Sequence, residues 1–147
     1  MILCCGEALI DMLPRLTADG EGAFAPHPGG AVFNTAVALG RLDAPVGFLS
    51  GLSTDFFGDQ LRASLETSRV ATDHVVFSDR PTTLAFVRLV HGQASYAFYD
   101  ENTAGRLLSP ADLPRLAESV DALFFGGISL IAEPCGASYE ALMSREA

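Results

Sequence analysis

The sequence contains no tryptophan and only three cysteines, Cys4, Cys5 and Cys135. An odd set without C-x-x-C spacing, two of them adjacent on an expected buried strand, argues against a disulfide framework and reads as reduced core thiols with a cytoplasmic address. Basic residues are also scarce: 9 Lys and Arg stand against 18 Asp and Glu, a formal net charge of −9, and they are scattered rather than clustered. That balance argues against nucleic acid or an anionic membrane surface as the partner. Long hydrophobic runs are missing too. The longest, Ala122 to Ala132, is too short to span a bilayer, and Met1 to Glu7 lacks the basic start of a signal peptide. His27, His74 and His91 are far apart without metal spacing, no Gly-Lys-Ser/Thr follows a glycine pair, and no Ser-His-Asp or Cys-His arrangement is evident.

What is present is 147 residues, 49% of them hydrophobic, enough for one domain with a sizeable core. The organising stretch is Pro28-Gly29-Gly30 running into the Ala-rich pattern Ala31 to Leu42. Gly29 and Gly30 carry no Cβ, so a ligand can approach the backbone, and either can take positive φ. The helix that follows is expected to present free N–H groups and its positive dipole end to that gap, favouring an oxygen-rich or anionic ligand. Asn34, on its first turn, both donates and accepts hydrogen bonds, which suits a hydroxyl group.

Ile2 to Met12 is expected to form one buried strand with Gly6 as a bulge, and 13–28 a loop or an exposed hairpin arm containing a short strand at Ala23 to Ala25. Val46 to Leu52 reads as the second buried strand, completing a β-α-β unit with a parallel crossover. Asp55 is placed to cap a second helix ending near Ser68, and a third strand is expected at His74 to Phe77. Thr83 to Val90 and Ala94 to Tyr99, joined by His91-Gly92-Gln93, read as an antiparallel pair. With Ala23 to Ala25 they would make a small separate sheet, a lid over the glycine pair. Ser109-Pro110 starts a helix expected to reach Ser119, Val120 to Gly127 reads as a buried strand, and a last helix is expected near Ala137 to Arg145.

Each candidate residue carries a plain reading beside the functional one. The Gly29-Gly30 turn with Asn34 is also compatible with ordinary strand-to-helix punctuation. Gly20 to Ala25 matches G-x-G-x-x-A, yet it sits in a Pro-rich arm rather than between a strand and a helix. Asp11, at the end of the first strand, is either a crevice carboxylate able to accept from vicinal hydroxyls or a solvated loop acid. Glu133, after the Gly126-Gly127 strand end, is either a second crevice acid or a helix N-terminal acid held by the dipole. Phe98 and Tyr99 fit an ordinary strand with alternating faces.

Taken in order, Gly29-Gly30-Ala31-Val32-Phe33-Asn34-Thr35-Ala36, Gly40, Gly51 and Asp55-Phe56-Phe57-Gly58 resemble the first signature of the ribokinase-like sugar kinases, the phosphofructokinase-B family. Cys5-Gly6-Glu7-Ala8-Leu9-Ile10-Asp11 resembles their first strand, and Phe98-Tyr99-Asp100-Glu101-Asn102-Thr103-Ala104 the lid segment of bacterial fructokinases. The resemblance covers essentially the whole chain. It implies a partial Rossmann-like α/β fold with a β-sheet lid over segments near 13–28 and 83–100, and ATP-dependent phosphorylation of a sugar hydroxyl. By the same resemblance Asp11, Gly29, Gly30 and Asn34 hold the sugar, Phe98 covers it, and Glu133 matches a sugar-contacting Glu. A lid of this kind often also forms a dimer contact.

The family's second signature, a Gly-Ala-Gly-Asp segment with the general base and an anion hole, is absent here, as are the Mg-associated Asn-x-x-Glu segment and the ATP-binding part. The reading is therefore an N-terminal sugar-binding half without a catalytic residue of its own, the sites for ATP and Mg2+ lying outside it. The other reading is a non-catalytic sugar- or partner-binding module. Where related kinases for acidic keto-sugars such as 2-keto-3-deoxygluconate place an Arg, this chain has Asp100, which points to a neutral sugar: fructose first, ribose or another neutral sugar next, a nucleoside third.

Overall fold

The computed structural model describes all 147 residues. In chain order it contains β1 (Ile2–Cys5), β2 (Leu9–Leu16), β3 (Gly22–Gly29), α1 (Ala31–Arg41), β4 (Val46–Leu49), β5 (Gly51–Ser53), α2 (Phe56–Thr67), β6 (Val76–Ser78), β7 (Leu84–Val90), β8 (Gln93–Tyr99), β9 (Ala122–Phe125) and α3 (Cys135–Glu146). Three sheets result: a parallel one in the order β4-β1-β9, a four-stranded one in the order β3-β2-β7-β8, and a two-stranded parallel pair β5-β6.

The parallel sheet is sandwiched. One face packs under α1 and α2 through Cys4, Val32, Phe33, Phe48, Leu61 and Leu65, all at or below 1% exposure. The other packs under α3 through Leu3, Cys5, Leu49, Tyr139 and Leu142. Strands covered on both faces read as continuous apolar runs, as β1 and β4 do. Phe33 and Phe48 meet edge to face, with centroids 6.0 Å apart. Burial pushes the Cys4 thiol up to about 11 and the Cys5 thiol up to about 12, so both behave as inert core groups.

The expected β-α-β unit is present, with β1 and β4 parallel in the register Ile2 to Val46, and Asp55 caps α2 by accepting from Gly58 N at 2.8 Å. The antiparallel pair β7 and β8 also forms where expected. Three expectations about where elements run need correction, and one about burial: Val120 to Gly127, read as a buried strand, is the edge strand β9, none of whose residues is buried. The strand read across Ile2 to Met12 is two strands in different sheets, because the chain leaves the parallel sheet at Gly6. A Cβ there would lie 2.5 Å from Val32 Cγ2 and 2.9 Å from the Gly126 carbonyl oxygen, so α1 and the β9 exit crowd against bare backbone. Val46 to Leu52 likewise divides into β4 and β5, with a Cβ on Gly51 falling 2.1 Å from the Ala104 oxygen.

The third correction concerns the helix expected from Ser109 to Ser119, which is a single 3-10 turn, Pro110–Asp112. The capping box is made, with Ser109 N and Oγ donating to Asp112 Oδ2 at 2.9 and 2.6 Å. Pro114 ends it at once, since a proline pushes the residue before it out of the helical region, and Leu113 is extended at φ −66°, ψ 123°. Of the two readings of 13–28, the exposed hairpin arm is the one that forms: β2 and β3 pair antiparallel along eight residues, from Leu9 with Gly29 to Leu16 with Gly22.

Candidate functional site

The three elements that end at one edge of the parallel sheet build the site. Past β1 the chain turns through Gly6-Glu7-Ala8, past β4 it reaches Ser50, and past β9 it passes Gly126-Gly127 into a 3-10 turn, Ile128–Leu130. Carboxyl ends of parallel strands are where α/β proteins hold ligands. A cavity of about 300 Å³ opens there, bounded by Glu7, Ser50, Ser129 and Tyr139 below and by Phe98 from β8 above. Asp100 and Arg106 also line it, joined by an ion pair of 2.6 Å.

Glu7, which sequence reasoning did not single out, is the joint of the site. Its Oε1 accepts from Ala31 N at 2.9 Å and Val32 N at 3.3 Å, and its main-chain oxygen accepts from Phe33 N at 3.3 Å. Its Oε2 accepts from Ser129 Oγ at 3.1 Å. The N-terminus of α1, expected to stay open for a ligand, is thus satisfied by the chain's own carboxylate. The cap residue of α1, Gly30, has no side chain to do this; it takes φ 108°, and a Cβ there would lie 2.8 Å from the Glu7 oxygen. The signal in the sequence was an acid one residue after the β1 glycine, which local pattern alone does not connect to a helix 24 residues on.

The residues expected to bind ligand are placed as follows. Asp11 lies on β2, in the four-stranded sheet rather than at the end of β1, opposite His27 on β3 and Ala85 on β7. It is half-buried and seated against Gly29, where a Cβ would come within 2.2 Å of Asp11 Oδ2. Burial holds its carboxyl above the usual range, partly offset by His27. Asn34 is exposed on the first turn of α1, its N–H donating to the Gly30 oxygen at 2.9 Å. Phe98 lines the cavity itself and is 45% exposed. Glu133 is exposed; its Oε2 accepts from Ala137 N at 3.3 Å at the start of α3, and its carbonyl accepts from Arg106 Nε at 3.1 Å. Asp11, Gly29, Gly30 and Asn34 therefore lie around the β2–β3–α1 corner and Glu133 caps the start of α3, while Phe98 alone of the six lines the cavity.

The Tyr139 phenol, buried under the cavity, donates to the Gly6 oxygen at 3.3 Å, and burial raises it well above the usual phenol range. No group of three or more His, Cys, Asp or Glu side chains is arranged to hold a metal ion. With Glu7 filling the α1 terminus, that helix end has no free N–H group to offer a nucleotide phosphate.

Comparison with known proteins gives a consistent family. The model of the pfkB family carbohydrate kinases matches residues 1–146. A fructokinase of Rhizobium leguminosarum bv. trifolii is 58% identical over all 147 residues, which correspond to 45% of its own length. A fructokinase of Solanum habrochaites is 38% identical over 146 residues, 95% of this chain and 44% of the relative. Among solved structures, the Xylella fastidiosa fructokinase superposes with a TM-score of 0.87 at 35% identity, covering 98% of this chain and 48% of that one. A Vibrio cholerae fructokinase with fructose, ADP and calcium bound superposes with a TM-score of 0.79 at 25% identity, over 99% of this chain and 46% of that one. The chain spans a little under half the length of the curated relatives it matches.

Proposed function

The chain belongs to the pfkB family of carbohydrate kinases, and from that premise we propose that it supplies the sugar-binding half of an ATP-dependent kinase that phosphorylates fructose to fructose 6-phosphate. The observation that carries this reading is the cavity of about 300 Å³ at the carboxyl edge of the parallel sheet, overhung by Phe98 from the second sheet, a size in the range of small-molecule sites. Asp11 and Asn34 take the sugar hydroxyls, Gly29 and Gly30 let the sugar approach the backbone, Phe98 covers its apolar face, and Glu133 borders it. The four-stranded sheet acts as the lid. ATP and Mg2+ belong to the complete enzyme, and positioning and electrostatic stabilisation of the transferring phosphoryl group come from residues outside these 147.

Asp100 favours a neutral sugar over a sugar acid: it neutralises Arg106, the cation on the cavity wall. The lid also supports a homodimer. Phe24, Leu89, Tyr96 and Tyr99 are between 49% and 63% exposed, and a groove of about 880 Å³ runs past Leu16, Phe24, Phe86 and Tyr96, an apolar surface suited to a second copy. Three free, buried thiols fit a reducing cytoplasm, and no helix is long and apolar enough to cross a membrane.

Calorimetric titration of the chain with fructose, against ribose and 2-keto-3-deoxygluconate, tests the reading. Fructose is expected to bind most tightly, and Asp11→Ala to weaken it at least tenfold while the melting temperature holds. An Asp11→Ala variant with undiminished affinity would sink the site assignment.

A further inference from the structure

Ser50 stands where the chain passes from β4 to β5, beside the carboxyl end of β1. Its main chain is engaged, the carbonyl accepting from Val76 N at 3.0 Å. Its side chain is not: Ser50 is 0% exposed and its Oγ has no hydrogen-bond partner. One other buried side-chain atom shares that condition, His74 Nδ1, and His74 does not border the cavity, whereas Ser50 does. Buried hydroxyls in native proteins are almost always paired, so an orphan that borders a cavity asks for a partner from outside.

The remaining polar groups of the wall are already spoken for. Glu7 is held by Ala31 N, Val32 N and Ser129 Oγ. Thr83 Oγ1 donates to Thr103 Oγ1 at 2.8 Å, the Tyr139 hydroxyl to the Gly6 oxygen, and Arg106 to Asp100 and to the Glu133 oxygen. Ser50 Oγ lies beside the Tyr139 phenol, whose hydrogen goes to the Gly6 oxygen, and makes no hydrogen bond of good geometry with it or with any other of these groups. Two carboxylates, Glu7 and Asp100, face one guanidinium on this wall, so the cavity carries net negative charge and disfavours an anionic ligand. A serine hydroxyl exchanges hydrogen bonds best with a group that also donates and accepts.

We propose that Ser50 is a ligand-contacting residue on the cavity floor, its Oγ exchanging hydrogen bonds with a hydroxyl of a neutral polyol. The assignment rests on the sugar-site reading above and adds a contact from the β4–β5 joint to those at the β2–β3–α1 corner.

The test is Ser50→Ala, measured two ways: thermal unfolding of the free chain, and calorimetric titration with fructose. Removing a hydroxyl that has no partner in the free protein should leave the melting temperature unchanged or raise it, while the fructose Kd rises at least tenfold. A melting temperature lowered by more than about 2 °C without sugar would mean that the hydroxyl is satisfied inside the protein, by the Tyr139 phenol beside it or by a buried water, and would overturn the proposal. So would an unchanged fructose Kd. Failure of the wild-type chain to bind fructose would instead bring down the sugar-site reading and the proposal with it, a result read from the wild-type titration alone.

Discussion

The two larger sheets of the molecule share a chain but not a strategy. In the parallel sheet β4 is buried along its whole length and β1 at three of its four residues; in the four-stranded sheet every residue of β8 is exposed. The first is covered by helices on both faces along β1 and β4, and opens only at its edge strand β9, where Phe124 is 40% exposed. The second pairs β2 with β3 and β7 with β8 along their lengths, joins the two hairpins over three residues, and leaves aromatic rings in the open, Tyr96 and Phe98 stacked with centroids 6.0 Å apart. Apolar burial is concentrated in one sheet, and exposed apolar surface in the other. The site lies where they meet, so its residues are drawn from both.

The strongest way to break that division is Phe48→Ala, at 0% exposure between α1 and the sheet. It is expected to cost about 3–5 kcal/mol in denaturant unfolding; a loss under about 1 kcal/mol would mean that the parallel sheet is not the stabilising unit.

A second prediction sets one aspartate against another. Asp55 caps α2 and accepts from Thr82 N at 2.9 Å and Thr82 Oγ1 at 2.6 Å. Burial would raise its carboxyl, but these hydrogen bonds and that from Gly58 hold it below the usual range. Its stabilisation is in place above the unfolded-state value of about 3.9 and is lost as pH falls through its own lower value. Asp55→Ala should cost about 1–2 kcal/mol at pH 7 and flatten the acid limb of the stability curve. Asp11 has the opposite sign. Its raised carboxyl makes its charge a cost at neutral pH that protonation relieves, so Asp11→Asn should leave stability at pH 7 equal or higher. Parallel behaviour of the two variants on a pH series would erase the distinction between cap and site.

The smallest expected effect sharpens the contrast. Leu89→Ser and Tyr96→Ser, at positions 62% and 55% exposed, should move monomer stability by no more than about 0.5 kcal/mol while weakening self-association in sedimentation. Stability losses like that of Phe48→Ala would show the exposed sheet to be part of the core.

Much of this was legible in the sequence. The β-α-β unit, the Asp55 cap and the β7–β8 hairpin each follow from spacing and end signals that act within about a dozen residues. Pro114 was legible too, since its bar on helix at Leu113 is local chemistry, and weighing it would have shortened the helix read after Ser109. The splitting of Ile2 to Met12 and of Val46 to Leu52 was not. Both halves of each run are apolar and buried, so no change of pattern marks where the chain changes sheets; the break is set by what crowds Gly6 and Gly51 from elsewhere.

The same line separates what each level decided about function. By itself the sequence determined the family, the glycine turn and the acids and amide available to it, because those are identities and short spacings. Only the tertiary structure decided that Glu7 fills the end of α1, that Asp11 rises from the four-stranded sheet, that Glu133 caps α3, and that Ser50 is left without a hydrogen-bond partner at the cavity. Each is a contact between segments tens of residues apart, and which groups are satisfied and which are left free becomes defined only once the sheets and helices have closed around them.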